Sequence, residues 1–596
     1  MSDLLRDAPV GQIFRLLLAK GRFYRYQYLE ERADFQIPPG YTTSTAAEKE
    51  PELSHTPEPG LEAIETETET GSPTARWSPS PAVDLPPWRN GLSTTPDHEF
   101  FDGASDYTAR RERSHSNLEA GDTDAVQLEP IIRQPSRPIV PQTTRDGVVL
   151  VDWYTIDDPE NPKNWTMRKK LFVVFEIYVY TLAVYIGSAM VTPSEPYIQQ
   201  RFGVSPELSS MSLSLYVAGY GIGPLIFSPM SEIPIIGRNP PYMATMGIFL
   251  IISIVTAVVD SFPALMVLRF FQGFFGSPIL ATGGASISDI FPVQQLPYYI
   301  TAWGAFATAG PALGPLISGF SVPHENWHWS LWEIVWFNAP VYVWLLFCLP
   351  ETSAPTILLR RAHRLRKLTG KANLRSQSEI DQDHISVREI VVSNLWRPLQ
   401  INALDPAVLF TSLYTGLMYM IFYSFFEVFP FVYGSGLPRP HSPTHGYHFN
   451  PGQIGLTFLA VAVGVCIAMP AYLCYLKFVF DPAARSANGP GPPERRLVPA
   501  LIATFCLPVG LFLFAWTGFN SPKIHWAYAA SLFAGNDFAR SSMAAGAIHY
   551  SRPMFLNLGV GPAVSLLAGL TFAGVIGIYA LYFFGANLRA RSRFAV

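Results

Sequence analysis

LFVVFEIYVYTLAVYIGSAMV, Leu171 to Val191, is a run of 21 residues whose one charged side chain is Glu176. A hydrocarbon core of about 30 Å needs about 20 mostly apolar helical residues, because a backbone deprived of water must satisfy its own hydrogen bonds. The run therefore reads as a membrane span. Outward from it, comparable runs fall at 208–230, 242–259, 263–287, 298–320 and 331–349. After a polar stretch, five more follow at 404–433, 453–478, 497–516, 527–548 and 560–584. The expected fold is an all-α integral membrane protein with six spans before the polar stretch and five after it.

The apolar material is unevenly placed. Of 596 residues 49% are hydrophobic and 15% charged, yet Met1 to Thr166 is polar and rich in Pro, Ser, Thr, Glu and Asp. From Glu48 to Thr144, with Glu62, Glu65, Glu67 and Glu69, too little apolar surface exists to offset ordering entropy, and disorder is predicted. Within it, Arg110 to Ser114 reads either as a basic-directed phosphorylation site or as a solvated charge cluster. Val10 to Arg32 mixes Ile13, Phe14, Leu16, Leu17 and Leu18 with Arg15, Lys20, Arg22 and Arg25. That pattern fits an interfacial helix on an anionic leaflet, a soluble helix or a disordered segment. Arg15 and Lys20 interrupt any secretory h-region, so the first span is expected to act as the insertion signal.

A net charge of -4 offers no basic excess for nucleic acid. Cys348, Cys466, Cys474 and Cys506 all fall in apolar runs, where neither a disulfide framework nor a zinc cluster is expected. No phosphate-binding loop or nucleophile triad stands out, so neither an enzyme nor direct ATP drive is expected, and no cofactor or metal.

Arginines orient the chain. Pro350 to Asn402 carries Arg360, Arg361, Arg364, Arg366, Lys367, Lys371 and Arg375, and by the positive-inside rule it faces the cytosol. An even number of spans precedes it, which puts the N-terminus in the cytosol too. Arg238, Arg485, Arg495 and Arg496 agree. Eleven alternating spans, however, send the C-terminal Arg589, Arg591 and Arg593 outside, against the same rule.

Two helical bundles joined by a basic loop resemble the major facilitator superfamily. The string DPENPKNW, Asp158 to Trp165, resembles the entry signature of fungal drug:proton antiporters of the twelve-span type. PETSAPTILLRRAHRLRKLTG, Pro350 to Gly370, is similar to the linker of their fluconazole- and multidrug-resistance branch. The turn Ser231 to Arg238 stands where the superfamily has its acidic-Gly-Arg loop. There Glu232, Gly237 and Arg238 are expected to latch one conformation against a helix N-terminus of the other half, a solvated turn being the plain alternative. In LRFFQGFFGSP, Leu268 to Pro278, the resemblance implies proton coupling at Arg269, with Gln272 and Glu176 as further candidates. A structural arginine tied to backbone carbonyls is the alternative. Gly304, Gly310, Pro311, Gly314, Pro315 and Gly319 resemble the antiporter motif, in which small residues bring helices close and proline bends them.

Tyr216, Trp303, Tyr423, Glu427, Asn536, Asp537 and Arg540 are candidates for lining a substrate cavity. Packing of the aromatics and mutual neutralisation of Asp537 and Arg540 three residues apart are the competing readings. In the resembling family a further span separates a stretch like Ile524–Trp526 from one like YAASLFAGNDFAR, Tyr528 to Arg540; here they adjoin. About thirty residues, the tenth span, are therefore expected to be missing, one span's length with its turn.

The expected organisation is a largely disordered cytosolic region at 1–166, a six-helix bundle at 167–349 and a cytosolic loop at 350–402. A bundle lacking one helix follows at 403–585, then a basic cytosolic tail at 586–596. The expected function is proton-coupled antiport of small amphipathic organic molecules across the plasma membrane by a monomer, with protons, small molecules and lipid as partners. A transport-incompetent or sensor-like membrane protein is the alternative that the missing helix raises.

Overall fold

The computed structural model describes residues 2–17, most of 27–41, 138–143, 147–382, 400, 402–434, 447–486, 493–517 and 537–591. Apart from 138–143, the region predicted to be disordered and the stretch Arg110 to Ser114 lie outside these residues.

Helix α1, Pro9–Leu17, precedes the bundles. The first half comprises α2 (Met167–Ala189), α3 (Met211–Ile222) with α4 (Pro224–Glu232), α5 (Asn239–Val258), α6 (Phe262–Gly276) with α7 (Pro278–Ile290), α8 (Leu296–Ser321) and α9 (Trp329–Cys348). Pro224 and Pro278 lack the amide that would carry a helix through, so α3–α4 and α6–α7 are each one span broken at a proline. Linker helix α10 is Ala354–Thr369. The second half comprises α11 (Pro406–Tyr433), α12 (Leu459–Tyr475, extended at both ends), α13 (Val498–Thr517), α14 (Asp537–Leu558) and α15 (Val560–Arg591).

Among the described residues ten helices are long and apolar enough to cross a membrane. They follow the predicted runs closely. The exception is the run expected at 527–548, which corresponds to α14, described as Asp537–Leu558: the helix runs ten residues past the predicted end and so carries His549 and Arg552. Ile251, Ile467 and Ile576 are more than 60% exposed, part of an outward apolar surface suited to lipid. All four cysteines are free, and Cys466, Cys474 and Cys506 lie exposed on that outer surface.

Side-chain contacts fix which helix ends lie together. Glu351, just after α9, accepts the backbone N–H groups of Arg238 and Asn239 at 3.0 and 3.3 Å, and Tyr298 at the start of α8 donates to Asp481 beyond α12 at 2.7 Å. Tyr475 donates to the Arg495 carbonyl at 2.7 Å, and Gly585 of α15 lies against Glu494. These residues mark one end, the basic end. At the far end, Gly561 lies against Ala515, and Arg552 sits 3.6 Å from Glu207. Helix α14 thus runs from the basic end to the far end and α15 runs back. The span count predicts the opposite sense for both; the structure follows the arginines, bringing the last turn of α15 to the basic end. Residues 518–536 join the far end of α13 to the basic-end start of α14, and 19 residues reach about 60 Å when extended, twice a bilayer core.

Part of the N-terminal region expected to lack order is packed. Arg361 of α10 is fully buried; its Nη1 donates to Asp158 at 2.7 Å, its Nη2 to Glu160 at 2.9 Å, and its Nε lies 3.3 Å from Glu30. Arg364 donates to Glu30 at 2.8 Å and to Glu160 at 3.1 Å, and stacks over Tyr28. Tyr154 adds a hydrogen bond to Glu30 at 2.8 Å. Nearby, β1 (Val149–Leu150) pairs in parallel with β2 (Leu374–Arg375). Composition does not register this order, because two guanidiniums and three carboxylates compensate one another only once folded. Helix α1 packs on α5 and α9, with Ile13 and Phe14 each half exposed, as an interfacial helix requires.

Removing one partner of a buried ion cluster leaves the rest uncompensated. Arg361→Met is expected to destabilise the docking of the N-terminal segment by about 3–5 kcal/mol, read as faster proteolysis after residues 27–41 and 147–166. Acid acts similarly. Burial works to raise Asp158, but Arg361 outweighs it and holds the carboxyl below its ordinary value. Burial likewise opposes Arg364 and Arg361 at Glu30, and the arginines prevail. Both contributions are full above the unfolded carboxylate range near pH 4 and are lost as pH falls through the depressed folded values. At Glu160 burial prevails and raises the carboxyl, so this group works the other way. Protease protection is therefore expected to vanish only below about pH 4; protection lost near neutrality refutes the assignment.

Candidate functional site

Arg269 projects from α6 into a space closed to water. Its exposure is 0%, and each of its three nitrogens meets an acceptor: Nε to the Ser212 carbonyl at 2.9 Å, Nη1 to Gly187 at 3.2 Å and Gln272 Oε1 at 3.2 Å, Nη2 to Ser188 at 2.9 Å. Tyr216 lies beneath the guanidinium at 4.5 Å, and Gln272 donates onward to Ser253 at 2.9 Å. The arginine thus ties α2, the start of α3 and α6 together through carbonyls, and among the described residues no carboxylate comes within 4.0 Å of it. Glu176 on α2 is also fully buried, not hydrated at a membrane edge, and neither carboxylate oxygen has a hydrogen-bond partner.

The turn at Glu232–Arg238 is organised from within the first half. Gly237 has φ +82°, and a Cβ there would stand 2.5 Å from Glu351 Oε2, so only glycine fits. Arg238 donates to Asp289 at 3.2 Å and to Ser231 at 3.0 Å. Glu232 is exposed, 4.0 Å from Arg238, and reaches no described residue of the second half.

Glycines of α8 serve two neighbours. Built-in Cβ atoms would lie 2.6 Å from Tyr185 at Gly310 and 2.9 Å from Ile186 and Met190 backbone atoms at Gly314, which seats α8 on α2. A Cβ at Gly319 would stand 2.7 Å from the Pro451 carbonyl of the second half, and one at Gly455 would clash with the Pro315 carbonyl. Pro311 and Pro315 are buried within the helix. Gly304 alone of the motif glycines has open space around it.

On the other side of the seam, α14 packs against both α3 and α11. Tyr423 is fully buried and joins the halves, bonded to Tyr220 at 2.9 Å and to Ser188 at 3.3 Å. His549 pairs with Ser214 at 2.9 Å. Arg552 lies 3.6 Å from Glu427 on α11 and 3.6 Å from Glu207 beside α3, a bridge across the halves. Glu195, just beyond α2, is buried with one carboxylate oxygen unpartnered, and its charged neighbours are Glu427, Arg552 and Arg269.

Of the residues proposed for a cavity, Tyr216 donates to the Val184 carbonyl at 2.8 Å and Trp303 to Thr181 at 2.8 Å, both within the first half. Tyr423 and Glu427 belong to the far-end seam. Asn536 lies outside the described residues, while Asp537 and Arg540 occupy the first turn of α14. Sequence reasoning missed Glu195, Glu207, His549 and Arg552. Arg552 was legible in principle as an arginine in a helix-length stretch, but ending that helix at 548, ten residues before Leu558, put it in a loop.

Residues 177–553 match the family described as Major Facilitator Superfamily. The chain is 46% identical over 485 positions to the MFS-type transporter pyvG of Aspergillus violaceofuscus, covering 76% of this chain and 87% of that one. It is 36% identical over 488 positions to fluconazole resistance protein 1 of Saccharomyces cerevisiae, covering 76% and 86%. The solved human organic anion transporter MFSD10 (TETRAN) is 14% identical, with a TM-score of 0.43, over 69% of this chain and 99% of that one. In the Aspergillus alignment, 76% of 596 residues is about 453, so some 32 of the 485 positions have no counterpart here. That is the length of one span and a turn. With its apolar helices, its proline-broken spans and these relatives, the chain belongs to the major facilitator superfamily, in its fungal drug-efflux branch, as a multi-pass transporter and not an enzyme.

Proposed function

We propose that this chain exports small amphipathic organic molecules, such as antifungal drugs, toxins or secondary metabolites, from the cell across the plasma membrane, as a monomer exchanging them for protons. The positive-inside rule puts the basic end, with the N-terminus, linker and C-terminal tail, in the cytosol. The observation that carries the reading is the asymmetry of the seam. Arg552, His549 and Tyr423 tie the halves along the α14 side of the seam, whereas at the basic end Tyr298 to Asp481 is a tie on the α8–α12 side and Glu232 has no cross-half partner among the described residues. An exporter must pass through a state fastened outside and less fastened inside to load from the cytosol. Helix α14 fills its place between α3 and α11, which supports a working seam despite the shortfall of about one span. Arg269, charged and dry, sets the field felt by acids around it and is the proposed coupling residue.

Expressed in a yeast strain stripped of its own efflux pumps, the chain is expected to raise resistance to several unrelated amphipathic inhibitors, and a protonophore to abolish it. No resistance from a chain that reaches the surface overturns the reading. Arg269→Ala is expected to remove the resistance while leaving surface expression within about twofold, and Arg269→Lys to restore only part of it, since an ammonium cannot span the same carbonyls. Gly314→Val should separate α8 from α2 at about 1–3 kcal/mol and reduce resistance at least about tenfold. Gly304→Ala, facing open space, should leave it unchanged.

A further inference from the structure

Two buried acids and one half-buried arginine meet where the halves close at the far end. Glu427 comes from α11, Arg552 from α14 and Glu195 from the short helix after α2. Glu427 has a contact partner, Arg552 at 3.6 Å, and the Ser210 hydroxyl faces its carboxylate. Arg552 also reaches Glu207, whose side chain is 45% exposed and therefore shared with water. Glu195 has no cation within 4.0 Å among the described residues, and its Oε1 accepts no hydrogen bond. Arg269 faces it through space, but the donors of Arg269 are directed to the carbonyls of Gly187, Ser188 and Ser212 and to Gln272. His549, exposed, and Tyr423, buried, lie elsewhere along the same seam, held by Ser214 and by Tyr220 with Ser188.

One close cation cannot compensate two buried carboxylates, and like charges in one dry site leave one of them protonated. We propose that Glu195 is a proton-binding site of the external gate: as the halves close there, the Glu195 carboxylate takes one proton from the outer solution, becoming a neutral carboxyl, while Glu427 stays ionised against Arg552. When the gate opens and water enters, the same oxygen gives the proton back. Closure toward the cytosol-facing state is thereby linked to uptake of one external proton, so that acid outside favours the closed gate and alkali opposes it. The inference deepens the proton-coupled reading above and rests on it for its role in transport, although the linkage itself needs no substrate.

The test uses full-length protein in lipid nanodiscs, with the four native cysteines replaced by serine and spin labels on the exposed Leu208 and Leu558, one at the far end of each half. Lowering the pH from about 8 to 5 is expected to convert long distances to short ones, with the closed-to-open ratio rising up to about tenfold per pH unit, the slope of one linked proton. Glu195→Gln should stay closed across the range, and Glu195→Asp should restore the dependence. A wild-type distance that ignores pH, or a Glu195→Gln protein with the wild-type profile, overturns the proposal. If Glu195→Gln fails to fold, infrared spectroscopy of the wild type decides: a protonated-carboxyl band that grows with the short distance supports the site, and its absence overturns it. Drug-resistance assays stand apart from this readout. Intact pH-dependent closure with no export refutes the exporter reading and leaves the gate, whereas export with pH-independent closure does the reverse.

Discussion

A guanidinium without water must find hydrogen-bond acceptors, and the way Arg269 finds them organises the first half of this protein. Leaving such a cation bare in a low-dielectric interior costs several kcal/mol, so the acceptors have to be supplied. They come from carbonyls on α2 and at the start of α3, from Gln272, and from the face of Tyr216. Both Gly187 and Ser188 belong to the last turns of α2, where the approaching end of a helix offers carbonyls not fully used by the ladder. The constraint runs both ways. The arginine is held without a carboxylate contact, and three helices are held by the arginine. A charge kept in this manner acts on its surroundings through its field, which is what makes the unpartnered Glu195 beyond α2 significant.

Most of the fold was legible because hydropathy and length report directly on what lipid demands. Runs of about 20 apolar residues became helices within a few residues of the predicted ends, from Met167–Ala189 through Trp329–Cys348. The failure at Asp537–Leu558 has the same cause seen from the other side. This helix packs against α3 and α11 and so can carry His549 and Arg552, and a hydropathy window, which such residues lower, ended it at 548, short of both. Helices at a protein seam are polar where they meet partners, and those partners are distant in sequence.

The same logic separates the site residues that sequence could name from those it could not. Arg269, Gly237 and the glycines of α8 announce themselves by being expensive or small within otherwise apolar helices. Glu195 and Glu207 sit at helix ends, where an ionised side chain has water as its default partner and gives no signal, and Arg552 sits inside α14 past the end that hydropathy assigned to it. Only the folded arrangement shows that Glu195 has been removed from that water. The buried cluster of Glu30, Asp158, Glu160, Arg361 and Arg364 is the counterpart at the basic end. Its members were each readable as solvated charges, and its two family-like strings, Asp158–Trp165 and Pro350–Gly370, are parted by six spans in sequence and joined by Arg361 in space.

That junction bears on how the halves move. Linker helix α10 leads from the first half to the second, and Arg361 and Arg364 bind it to segments preceding α2. The linker therefore travels with the first half, and any change in tilt between halves must be absorbed beyond Thr369 or along the α8–α12 seam. At that seam Gly319 against Pro451 and Gly455 against Pro315 bring backbones together without intervening side chains, which permits rocking because little interdigitates. On the opposite side of the molecule, α14 is held by hydroxyls, an imidazole and ion pairs, contacts that break and reform with hydration. A smooth backbone hinge on one side and polar fasteners on the other are the mechanical requirements for opening the far end, and the charges of the fasteners are what tie that opening to protons.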